Sequence, residues 1–412
     1  MLSVTRGARA YAGRMPLIDV AEHLAAVLEA VVPLEPETRD VARARGRVLR
    51  HPVHSAVDVP GFDSSAMDGF AVREVAAVPV TLRVIADLPA GTEADPRMDA
   101  ADAARIMTGA PVPTDADAVV PFEDTAHGLG GGLDPVTVLV APKAAGAHIR
   151  RRGSDVRAGD LVVDAGLRLT AARIGAIAAS GVGVVSVARA PRVAVVSTGS
   201  ELVPPGAALR RGQIPESNSV LLAGLAEEAG AEVLLRTSVG DEGDGPRQAI
   251  AAAEAAGADA VVFSGGVSAG AYEVVKNTLG DLMRFDRVAM QPGKPQGFGR
   301  TPAGTLLFGL PGNPVSAAVS FDLFVRPALR ALEGEADLGR PRIAIALAEG
   351  WHARPDKTQY VPVAVDRSDP ARWLARPTPR GTRGFGDVEG LAVIPPRGED
   401  VVAGEHVTVW LW

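Results

Sequence analysis

Glu201, Asp241 and Lys294 each lie inside a short glycine-bearing segment. Five such segments recur through the second half of the chain: "STGSELV" (197–203), "VGDEGDG" (239–245), "SGGVSAG" (264–270), "QPGKPQG" (291–297) and "GLPGNP" (309–314). Glycine lets backbone N–H groups approach a ligand, carboxylates hold a hard cation, and lysine is a compact charge for an oxyanion. That combination is what cradling a phosphate beside magnesium requires. Lys143, Lys276, Lys294 and Lys357 are the only lysines in a chain that otherwise uses arginine, and Lys276 and Lys294 fall in or just after these segments. In the last segment Pro314 suits a first helical residue, Asn313 a cap, Gly312 close backbone approach and Pro311 a restricted approach to the turn. We expect a stiff, anion-facing rim, against the plainer reading of a rigid strand–helix connection.

Other chemistries fit less well. No GxxxxGK[ST] occurs, because Gly293-Lys294 is followed by proline, and "GLGGGL" (128–133) misses the GxGxxG spacing. Gly266-Val-Ser268-Ala-Gly270 matches the GxSxG elbow of a serine hydrolase, but the later histidines, His352 and His406, lie in the tail. His51 and His54 are read as a boundary segment, not a metal site. In the first half, "DVPGFDSSAMDGFAV" (58–72) gathers three acids and two serines, "IMTGAPVP" (106–113) sets Thr108 beside Gly109, and "IRRRGSD" (149–155) places three arginines before Asp155. Turn chemistry and a solvated basic bend are the ordinary readings of these stretches.

The elements that must position these residues follow from periodicity. Val20, Leu24, Val27, Leu28 and Val31 recur at helical spacing, and "LTAARIGAIAASG" (169–181) reads as a helix capped by Thr170 and closed by Gly181. Between them, short β-branched runs at 78–84, 118–120 and 136–140 predict an inserted β-rich domain. From 191 to 332, strands at 192–197, 232–238 and 260–264 alternate with helices at 218–229 and 246–256. That is a βαβ series with its ligands beyond the carboxyl ends of the strands. The tail alternates apolar and polar residues between Pro and Gly breaks, as a small β-barrel or sandwich does.

A multidomain α/β protein results, with expected domains at 16–50 plus 155–190 (elongated), 51–154 (inserted, β-rich), 191–335 (doubly wound) and 336–412 (β-barrel). Residues 1–15 are expected to be a disordered tail or to follow from an early start codon. With 412 residues, a net charge of −7, 47% apolar and 22% charged residues, the composition is that of a cytoplasmic protein and argues against nucleic-acid or membrane partners. The lack of cysteine removes disulfides, thiolate nucleophiles and iron–sulfur clusters.

The chain resembles the molybdopterin molybdenumtransferase family, which includes bacterial MoeA and the gephyrin E domain. The resemblance rests on "DVPGFDSSAMDGFAVR", "IMTGAPVP", "IRRRGSD", "STGSELV", "SGGVSAG", "PGKP" and "GLPGNPVSA", in that order. It implies a homodimer of four-domain subunits with a molybdopterin-binding central domain, and insertion of molybdate into adenylylated molybdopterin with magnesium-dependent release of AMP. By that resemblance Glu201 and Asp241 are metal-holding and catalytic, and Asp68, Thr108 and Asp155 are catalytic residues reaching in from the dimer partner. Thr198, Gly199, Ser264, Gly265, Gly266, Ser268, Glu273, Lys276, Lys294, Pro311, Gly312, Asn313 and Pro314 contact adenylylated molybdopterin or molybdate. Contact with other cofactor-biosynthesis proteins is also implied. Two departures stand out: Tyr272 precedes Glu273, with Lys276 three further on, where many members have an Asp-Tyr pair shortly before a lysine. Gln291 stands where many have lysine. The competing functions are the preceding adenylylation step, a Ser268 hydrolase and a non-catalytic scaffold.

Overall fold

The structure, a computed structural model, describes residues 17–75, 77–126, 128, 133–268, 273–379 and 381–412; the expectation for residues 1–15 lies outside them. The chain divides into two compact units. One runs through Glu37, takes Gly46–Val48 and resumes over Ala188–Trp412; the other comprises Thr38–Arg45 and Leu49–Val187.

In the first unit a seven-stranded sheet runs in the order β1 (Leu17–Ile18), β10 (Met283–Val288), β11 (Pro295–Arg300), β12 (Leu306–Leu310), β9 (Ala260–Ser264), β7 (Arg192–Thr198), β8 (Glu232–Val239). All neighbours are parallel except the two pairings of β11. Side chains alternate across a strand, so its apolar runs feed two cores. Val193, Val195, Val262 and Phe308 face one core, which includes Leu222 of α3 (Asn218–Glu228), Ala317 of α6 (Pro314–Ser320), Leu329 of α7 (Arg326–Leu332) and Val27 of α1 (Val20–Glu29). Ala194, Val196, Phe263 and Leu307 face the other, with Ile250 of α4 (Gly245–Ala255) and Val275 of α5 (Val274–Leu279). Burying one such Val or Phe is worth roughly 1.5–3 kcal/mol, which is why these strands are central.

Still in this unit, β13 (Arg342–Leu347), β14 (Thr358–Asp366), β15 (Leu374–Pro377), β16 (Gly390–Ile394) and β17 (His406–Leu411) pair in a ring, β14-β15-β13-β17-β16-β14. This closed five-stranded barrel encloses Ile345, Val363, Ala375, Ile394 and Val409. A short parallel ladder, Met290 beside Thr358 and Gln291 beside Gln359, ties it to the α/β layer. So does a shared core of Val288, Leu323, Phe324 and Tyr360.

The second unit holds a five-stranded sheet in the order β5 (Ala118–Pro121), β2 (Gly69–Val72), β4 (Asp102–Ile106), β3 (Val80–Leu88), β6 (Val136–Val138). Gly69 permits this pairing, since a Cβ there would lie 2.0 Å from the Val120 carbonyl oxygen. A separate core of Val41, Leu49, Leu169, Ile177 and Val187 forms around α2 (Ala171–Ala179). Thr170 caps that helix on the Arg173 N–H at 3.3 Å, and Gly181 ends it at φ +78°.

Candidate active site

All five glycine segments meet at the carboxyl edge of the seven-stranded sheet, because β7, β8, β9, β10 and β12 run in the same direction. The segment after β10 is a hairpin into the antiparallel β11, a reversal that the βαβ reading did not foresee.

Contacts between neighbouring loops fix their positions. Gly265 donates its N–H to Leu310 O at 2.9 Å, and at φ +95° a Cβ on it would lie 2.6 Å from Thr198 Oγ1. Thr198 donates to Ser264 O at 3.3 Å. Asn218 Nδ2 spans two loops, donating to Ser264 Oγ and Gly312 O, each at 2.7 Å. Asn313 caps α6 by accepting the Ser316 N–H at 3.2 Å, and Pro314 is its first residue. The cap and the helical start at Pro314 are therefore built as expected beside two glycine loops; the Ser316 and Ala317 N–H groups turn back to Asn313 and Pro314 has none, so the Val315 N–H is the one at this end that Asn313 does not engage.

The two acids sit one strand apart. Ser200 donates its N–H to Asp241 Oδ2 at 2.8 Å, and the Asp241 N–H donates back to Ser200 Oγ at 3.2 Å. The Glu201 carboxylate folds over Gly199, whose φ of +150° and lack of a side chain leave it room: a Cβ there would be 2.5 Å from Oε2. Among the described residues no three His, Asp or Glu side chains form a ready-made metal cluster. Two accessible carboxylates fit a magnesium ion whose shell is completed by substrate phosphate and water.

Glu273 accepts the Ser268 N–H at 2.7 Å, which ties the start of α5 to the segment after β9. Lys276 is exposed on α5, its N–H bound to Gly266 O at 3.0 Å, and Lys294 is half-buried after Gly293. Gly270 and Tyr272 lie outside the described residues. His352 pairs with Asp400 at 2.7 Å on the barrel.

Sequence reasoning missed Asn218 and Glu216. Glu216 accepts from Ser197 Oγ and the Ser219 N–H at 2.7 Å, and from the Ser219 hydroxyl. Burial works hardest against its charge, yet the hydrogen bonds from Ser219, Ser197 and the Asn218 N–H hold the carboxyl below its usual range. The signal was Glu-Ser-Asn-Ser across the start of α3, the helix that follows a glycine segment.

In the second unit the three motif stretches converge. Ser64–Ser65 pairs with Ile149–Arg150, and Gly109 donates to Ser65 O at 2.8 Å. Asp68 Oδ1 accepts both the N–H (2.6 Å) and the hydroxyl (2.7 Å) of Thr108, and the backbone bond in particular holds its carboxyl below the usual range. Each arginine of "RRR" has its own acid: Arg150 with Asp155 (2.6 Å), Arg151 with Asp63 (2.5 Å) and Arg152 with Asp58 (2.6 Å). The basic bend is thus neutralised, and Asp58 and Asp63 emerge as its organisers.

Comparison with known proteins agrees with this architecture. Residues 18–181 match the family described as the MoeA N-terminal region (domain I and II), 194–331 the probable molybdopterin binding domain, and 344–412 the MoeA C-terminal region (domain IV). The chain is similar to molybdopterin molybdenumtransferase 2 of Mycobacterium tuberculosis, 41% identical over 407 residues, 95% of this chain and 99% of the relative. It is similar also to the molybdopterin molybdenumtransferase of Nostoc sp., 39% identical over 76% of this chain and 71% of that one. Among solved structures it resembles the molybdopterin biosynthesis MoeA protein from Pyrococcus horikosii, 31% identical with a TM-score of 0.79, covering 96% of this chain and 99% of that one. With close to full-length matches to both sequence and fold, the chain belongs to the molybdopterin molybdenumtransferase family.

Proposed function

We propose that this chain is a molybdopterin molybdenumtransferase acting in molybdenum cofactor biosynthesis. In this reading adenylylated molybdopterin and molybdate enter the crevice at the carboxyl edge of the seven-stranded sheet, the phosphoanhydride is cleaved, and AMP leaves. The observation that carries it is the convergence of five glycine segments, a capped helix N-terminus and two accessible carboxylates on one edge. The backbone N–H groups of Gly266, Val267, Gly312, Asn313 and Val315 would bind phosphate and oxyanion charge, assisted by Lys294 and Lys276. Glu201 and Asp241 would hold magnesium, whose chemistry when bound is charge neutralisation at the anhydride oxygens. Ser200 fixes Asp241 by their reciprocal hydrogen bonds, so the carboxylate is oriented before substrate arrives.

The reading includes a homodimer in which the Asp68, Thr108 and Asp155 loops of one subunit close the crevice of the other. Phe62 and Met67, 47% and 37% exposed on the same stretch as Asp68, support it as apolar surface that a partner would cover. No helix among the described residues is long and apolar enough to cross a membrane, and we place the reaction in the cytoplasm. The test is incubation with adenylylated molybdopterin, molybdate and magnesium, with AMP and active cofactor both quantified. Molybdate-dependent formation of both is the expected result; formation of neither would refute the assignment.

A further inference from the structure

Two polar side chains, Gln296 of β11 and Ser320 at the end of α6, are 1% and 0% exposed, next to the core of Val288, Met290, Val319 and Phe324. Gln296 Nε2 donates to Gly293 O at 2.5 Å and to Ser320 Oγ at 2.7 Å. A carbonyl oxygen only accepts, so the amide nitrogen has to face Gly293. At φ +98° Gly293 presses against the same serine: a Cβ on it would lie 2.8 Å from Ser320 Oγ and 2.8 Å from Met290 Cε. One residue on, Lys294 O accepts the Val288 N–H at 2.8 Å. Gly293 O belongs to the peptide before the Lys294 Cα and Lys294 O to the peptide after it. Both planes flanking that Cα are thereby fixed, and with them the direction in which the lysine side chain leaves the backbone. An apolar pair of the same shape would hold the core about as well, but it could not orient a carbonyl.

We propose that Gln296 and Ser320 are positioning residues, locking the peptide between Gly293 and Lys294 to the end of α6 so that the Lys294 ammonium is aimed at the oxyanion before molybdate arrives. The inference rests on the function proposed above, in which Lys294 assists in binding that charge, and adds what holds the lysine in place. Both residues are buried too deeply to touch substrate, so they act through Lys294. Because α6 begins at Pro314, the same link sets the lysine hairpin against the 311–314 turn. Lysine carries its charge on a flexible four-carbon stem, and a backbone that already directs the stem lowers what binding must order.

The test titrates the intact protein with molybdate by calorimetry. Gln296→Leu keeps the bulk and removes both donated bonds, whereas Ser320→Ala cuts only the link to α6. Affinity for molybdate is expected to fall about tenfold in the first and about threefold in the second. Lys294→Ala should lower it by at least as much as Gln296→Leu does. Adding Gln296→Leu to Lys294→Ala should then change it by less than about twofold, because the glutamine acts only through the lysine; a merely structural effect would multiply. Multiplied losses in the double variant, or unchanged affinity in both Gln296→Leu and Ser320→Ala while Lys294→Ala weakens binding, would overturn the proposal alone. No molybdate uptake by unaltered protein, or uptake indifferent to Lys294→Ala, would overturn it together with the reading beneath it. A cooperative thermal transition above the titration temperature identifies a folded variant, and Ser320→Ala, the milder change, carries the test if Gln296→Leu lacks one.

Discussion

Asp68 and Thr108 are joined twice, the main-chain N–H and the hydroxyl of Thr108 both donating to one carboxylate oxygen at 2.6 and 2.7 Å. Two donors on one oxygen fix the direction of the Asp68 carboxylate. Thr108→Val keeps the shape and the N–H but removes the hydroxyl. Asp68 is exposed, so losing this bond costs little stability, but the carboxylate is no longer held in one direction and the variant should turn over roughly 10-fold more slowly, with its unfolding midpoint little changed. Steady-state AMP release checks this.

Asp241→Asn should separate charge from structure. Asparagine still accepts the Ser200 N–H, so the loop keeps its form and thermal unfolding stays near that of the unaltered chain. AMP release should fall by roughly a hundredfold or more, because the charge proposed to hold magnesium is gone. Loss of folding with retained specific activity would assign Asp241 a purely structural role.

The pH response follows from Asp58, Asp63 and Asp68. Each is held below the usual carboxylate range, first by the N–H of Ala158, Arg152 and Thr108 respectively. A carboxylate lowered by folding contributes stability above its unfolded value and loses it as pH falls through the folded one. These loops should therefore be unaffected around neutrality and loosen only below about pH 4. Hydrogen-exchange protection of the Thr108, Arg152 and Ala158 amides, followed on acidification, measures it; loss already by pH 6 would contradict the assignment.

Asp322 is buried and paired with Arg340 at 2.7 Å, with Arg326 at 4.0 Å. Burial first, then the neighbouring Arg340 and Arg330, lowers Arg326 to about 10. Removing this buried acid from beside Arg340 and Arg326, as in Asp322→Ala, should cost about 3–5 kcal/mol in urea unfolding.

Gly265→Ala should strain the crevice itself. At φ +95° the new Cβ would meet Thr198 Oγ1 at 2.6 Å and Thr198 O at 2.8 Å. A cost of about 1–3 kcal/mol, with loss of AMP binding, is expected.

How far these features were legible depended on distance along the chain. The continuous apolar runs in "RVAVVS" and "AVVF" announced strands covered on both faces, and Asn-Pro announced the α6 cap, since both signals are local. The β11 reversal was not legible. "PQGFGR" carries no strand pattern, and its place depends on Gly299 lying against Leu282 O, where a Cβ would come within 1.9 Å. Asn218 joins residues 46 and 94 positions away, and Arg151 finds Asp63 across 88. Such partners are set by tertiary folding, so "RRR" read alone showed the solvated charge, which stands with all three side chains half or more exposed, but not the acids that pair with it.

The central claim is that the glycine-lined edge of the seven-stranded sheet grips nucleotide phosphate and metal oxide together. Crystals soaked with AMP, magnesium and molybdate test it most directly. The account predicts phosphate density against residues 264–268 and 311–316, with magnesium on Glu201 and Asp241. Ordered AMP or molybdate bound elsewhere, with those loops unchanged, would contradict it.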